Sequence, residues 1–81
     1  MKVWADIHMQ LHSSRNVQPF DSIAAAKREF KTLYDWYDTY IGTCEHPTML
    51  VWREHPHERR DDYPDRMFVI GKRGGVKEEC V

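Results

Sequence analysis

Histidine and cysteine are the residues of this chain best suited to holding a metal ion. Cys44-Glu45-His46 and His55-Pro56-His57 form two close pairs on either side of a β-favouring run. A structural zinc site needs four such ligands around a tetrahedron, usually with C-x2-C or H-x3-H spacing. Here a single residue separates the members of each pair. The strand between them, at about 3.3 Å per residue, would hold the pairs roughly 25 Å apart. His8 and His12 share one face of an extended segment and would stand roughly 13 Å apart. The expectation is therefore no metal site and no cofactor, with Cys44 and Cys80 as free thiols in a reducing compartment.

The carboxylates do not converge either. Asp61-Asp62 and Glu78-Glu79 are sequence neighbours, and adjacent side chains rarely meet on one substrate atom. No G-x-S-x-G elbow, phosphate-binding glycine loop or H-E-x-x-H is present. Catalysis also needs a concave site that excludes water, which a chain of 81 residues seldom builds around one helix. The chain is expected not to be an enzyme.

Two sets of residues suit binding instead. Arg66, Lys72, Arg73 and Lys77 lie in a stretch with no acid between Asp65 and Glu78, and Gly74-Gly75 among them would let a phosphate approach the backbone. With Trp4 as a stacking platform, they make a candidate surface for single-stranded nucleic acid. Nearby Glu58, Asp61, Asp62 and Asp65 would oppose it. The second set suits a protein partner. Trp36 and Tyr40 flank the apolar side of a helix, and Trp4 lies off the inward face of its strand. Aromatic residues of this kind are enriched at binding hot spots. The loop residues Glu58, Arg59, Arg60, Asp61 and Asp62 add dense charge of both signs.

The elements that must position these residues follow from periodicity. Residues 2–12 alternate, with Val3, Ala5, Ile7, Met9 and Leu11 on one face and Lys2, Trp4, Asp6, His8, Gln10 and His12 on the other. That pattern predicts a strand with one face on the core and one toward water. Asp21 or Ser22 can cap a helix over 22–41, whose stripe is Ile23, Ala26, Phe30, Leu33, Tyr37 and Ile41. Lys31 and Asp35 can pair one turn apart, and Gly42 is a stop. Thr48–Glu54 and Arg66–Gly71 read as strands, joined by a loop over 55–65. Residues 73–75 form a turn, and 76–81 are a fourth strand or a tail. The expectation is a single α+β domain over 1–81: one helix on a three- to four-stranded, mainly antiparallel sheet, in the order β-α-β-β.

Composition narrows the class. The chain is 41% hydrophobic and 12% aromatic, with a formal net charge of -1. Such aromatic content argues against disorder, and balanced charge argues against a dedicated polybasic nucleic-acid or membrane binder. No segment is apolar for long enough to span a membrane, and the alternating N-terminus does not read as a secretory signal. The expected location is the cytoplasm.

Pro19-Phe20, then Ala26-Lys27-Arg28-Glu29-Phe30, then His46-Pro47 with Leu50, resembles the small nonstructural protein of gokushovirus-type single-stranded DNA phages over residues 17–52. That resemblance implies a role in phage replication through DNA binding. In general type the chain is also similar to phage-encoded inhibitors of host defence such as anti-CRISPR proteins. The leading expectation is a non-enzymatic module that binds a host or phage protein and acts by steric occlusion. The alternative is a single-stranded nucleic-acid binder. A homodimer joined through a sheet edge is a third arrangement.

Overall fold

The computed structural model describes residues 2–9, 16–42, 47–56, 63–71 and 74–79. Its elements are β1 (Val3–His8), β2 (Val17–Phe20), α1 (Ile23–Tyr40), β3 (Thr48–Trp52), β4 (Arg66–Ile70) and β5 (Val76–Glu79). All five strands join one sheet in the order β2-β1-β3-β4-β5, and every neighbouring pair is antiparallel. The α+β class with one helix stands, but the sheet has five strands and the order is β-β-α-β-β-β.

The strand absent from the sequence reading is β2. Its Val-Gln-Pro-Phe has neither alternation nor a β-branched run. Pro19 lacks the N–H that a central strand must donate, so such a strand is tolerated only at an edge. β2 is an edge, with Pro19 opposite Trp4 and Val17 opposite Asp6. At the other edge, β5 is a strand. The Gly71 N–H donates to the Gly75 carbonyl at 2.8 Å, and Gly74 takes a φ of +83°, which closes the β4–β5 hairpin. Both edges resist strand addition, since β2 carries proline and β5 carries Lys77, Glu78 and Glu79. This weighs against a dimer joined through the sheet.

The topology places the helix. β2 and β3 each run antiparallel to β1 on its two sides, so they are parallel to one another. The chain between them must cross over β1, and α1 is that crossover. Ser22 caps it, its Oγ accepting from the Ala25 N–H at 3.1 Å. Gly42, at a φ of +91°, ends it, and its N–H donates to the Tyr37 carbonyl at 2.8 Å.

The core lies between α1 and one face of the sheet. Ala26 and Phe30 are fully buried against Val3, Ala5, Met49, Val51 and Phe68, with Ile7, Ile23, Leu33, Tyr34 and Tyr37 packed at the margin. Full burial of a side chain the size of Phe30 stabilises by about 1.5–3 kcal/mol. Ile41, expected in this stripe, is instead the helix C-cap and is exposed.

The other sheet face is not simply the wet one. Asp6 is only 1% exposed, and Trp52 and Thr48 are also buried. Asp6 lies on a central strand between Val17 and Leu50. Its Oδ1 accepts from the Asn16 N–H at 3.1 Å, and its Oδ2 lies 2.7 Å from His8 Nε2. A buried carboxylate demands such partners. Trp4, Leu50, Met67 and Val69 share this face, and all four are half-buried.

Candidate protein-binding surface

The last two turns of α1 leave the sheet behind. Trp36 and Tyr40 are one turn apart, so they share a face. They are 49% and 72% exposed, and Ile41 beside them is 52% exposed. Single exposed apolar residues are ordinary, so what marks this site is that two large aromatic rings lie side by side. The Trp36 ring lies 5.7 Å from that of Tyr40, tilted at 43°, and 5.3 Å edge-on from that of Tyr37. Tyr37 packs on the core, so it ties the exposed pair to a rigid support.

The helix end contributes partial negative charge beside this patch. No basic residue occupies the last helical turn, and the carbonyl end of a helix carries a partial negative charge. Asp35, a turn earlier, is paired with Lys31 at 2.8 Å, as their spacing predicts. The surface therefore suits an apolar or cationic contact, since aromatic faces also attract guanidinium and ammonium groups.

Trp4 does not join this patch. It sits on the sheet face away from the helix, half-buried, with the His55 ring 4.7 Å away in an edge contact and Lys2 Nζ 5.0 Å from its centroid. The five charged loop residues Glu58, Arg59, Arg60, Asp61 and Asp62 lie outside the described residues. Ile41, which sequence reasoning assigned to the core stripe, is exposed at the helix end.

The cationic set is also divided. Arg66 lies on the helix side of the sheet, opposite Val51. Its guanidinium holds Glu78 through two hydrogen bonds of 3.0 and 2.5 Å. Hydrogen bonding to Arg66 lowers the Glu78 carboxyl below its usual range, and the same bond raises Arg66. Lys77 lies on the opposite face, across from Val69, with Nζ 3.9 Å from Glu79. Lys72 and Arg73 lie outside the described residues. The described cations of this set thus point to opposite sides and each has a carboxylate partner.

Of the residues considered for metal binding, His8 and His55 are described; Cys44, His46, His57, His12 and Cys80 lie outside the described residues. Among the described residues no group of three or more metal-ligating side chains occurs, and no helix is long and apolar enough to cross a membrane. No protein-family model, curated protein or solved structure matches the chain.

Proposed function

We propose that this chain is a non-enzymatic protein-binding module whose contact surface is the end of α1, centred on Trp36 and Tyr40. The observation that carries this reading is the exposure of two large aromatic side chains, Trp36 and Tyr40, side by side on a helix packed against the sheet. The module acts by occupying a partner's surface and excluding its other ligands. The general likeness to small phage-encoded inhibitors points to a host or phage protein as the partner, and the partial negative charge of the helix end favours lysine or arginine beside an apolar residue. The loop at 58–62 extends the contact if it lies against the same partner.

The test is co-purification of the tagged protein from a bacterial host, with nuclease treatment and a salt wash. A stoichiometric protein that survives high salt is the expected result, because apolar contacts are not screened. Recovery of nucleic acid alone, released as salt rises, would replace this reading with the single-strand binder.

A further inference from the structure

The solvent side of α1 has two unlike halves. Every fourth residue from Ala24 to Tyr40 is exposed: Ala24, Arg28, Thr32, Trp36 and Tyr40. Residues at this spacing form one oblique ridge along a helix. Its first half carries a methyl group and a guanidinium, and its second half carries two large rings. Thr32 is the midpoint. A second copy of the helix running the opposite way would set rings against small side chains at both ends.

Charge is divided in the same way. Arg28 and Lys31 lie in the first half, with Glu29 between them, and Asp35 and Asp38 lie in the second. No acidic residue occupies the first turn and no basic residue the last, so side chains there do not offset the helix dipole. Lys31 and Asp35 hold each other. Arg28 pairs with no carboxylate among the described residues. An antiparallel helix would place the negative end of each dipole beside the positive end of the other. The first half of α1 also offers what the helix end favours, an arginine beside apolar side chains.

We propose that, in the absence of another partner, the protein dimerises by antiparallel pairing of α1 with a second copy, crossing at Thr32. The pairing rests on the reading of Trp36 and Tyr40 as a contact surface and adds a second occupant to it. Two ridges of this spacing pack at a crossing angle of about −50°. Trp36 of one copy then lies over Arg28 of the other, since a ring face attracts guanidinium. Tyr40 reaches Ala24 and Ala25, whose methyl groups leave room for it. The two-fold axis repeats each contact. The dimer is weak, because one helix face is smaller than the roughly 800 Å² per partner of a standard interface. It covers the surface that another protein would take, so the two occupants exclude each other.

The experiment dilutes isotope-labelled protein from about 1 mM, followed by NMR, with sedimentation equilibrium for the mass. The expected result is a mass rising toward that of a dimer, with shifts at Ala24, Arg28, Thr32, Trp36 and Tyr40 that follow one binding curve. Ala24→Glu should weaken the dimer about tenfold. A carboxylate in the first turn suits the helix dipole, so unfolding would not account for that loss. Arg28→Gln should weaken it about threefold. A monomer at every concentration up to about 1 mM, shifts confined to Trp36 and Tyr40, or undiminished dimerisation of Ala24→Glu would overturn the proposal. Co-purification separates this pairing from the proposed function. A monomeric protein that retains a protein partner removes only the self-pairing, and a dimer that recovers no other protein removes only the reading of a host or phage partner.

Discussion

The two halves of α1 share one helix and differ in almost everything else. The N-terminal half is capped by Ser22, and places Ala26 and Phe30, both fully buried, on the sheet. The C-terminal half has no cationic side chain in its last turn and presents Trp36, Tyr40 and Ile41 to solvent. Burial of apolar surface is the main favourable term in folding. A helix that buries Phe30 and packs Tyr37 on the core but leaves Trp36 and Tyr40 largely exposed is not optimised for stability alone. The first half holds the fold together, and the second half is available for a partner.

Substitutions along the helix should separate these roles. Phe30→Ala strikes the fold and should cost about 3–5 kcal/mol of stability, measured by urea unfolding. A cost under about 1 kcal/mol would mean that the core is not centred on this contact. Ser22→Ala should cost about 1 kcal/mol through the lost cap, and Ser22→Gly less. The smallest effect is expected at the Arg66–Glu78 pair under the same half of the helix. Because Arg66 lowers the folded carboxyl of Glu78, the pair stabilises above the ordinary glutamate range. That contribution is lost as pH falls through the lowered value. Glu78→Gln should therefore flatten the acid limb of the stability curve slightly and leave the neutral-pH limb unchanged in shape. An acid limb identical to that of the parent protein would show that solvent screens the pair completely.

Much of α1 is legible in the sequence. Its cap, its stop glycine, the Lys31–Asp35 pair and most of its apolar stripe are local features with fixed spacing. β3 and β4 are legible for the same reason. What is not legible depends on pairing between distant segments. β2 is a strand because β1 offers it an edge, and nothing in Val-Gln-Pro-Phe announces that. Asp6 alternates with the core residues and so reads as solvent-facing. Its burial comes from Val17 and Leu50, which lie on either side of it only once β1 is central. The same holds for the binding residues. Trp36 and Tyr40 stand out in sequence because they leave the helix stripe, whereas separating Trp4 from them requires knowing which face the helix covers.

The central claim is that the second half of α1 serves binding rather than folding. The most direct measurement compares the Trp36→Ala/Tyr40→Ala double variant with the parent protein in two assays, urea unfolding and retention of the co-purified partner. The account predicts a partner lost from the double variant with stability changed by less than about 1 kcal/mol. Full partner retention, or a loss of stability comparable to that of Phe30→Ala, would contradict it.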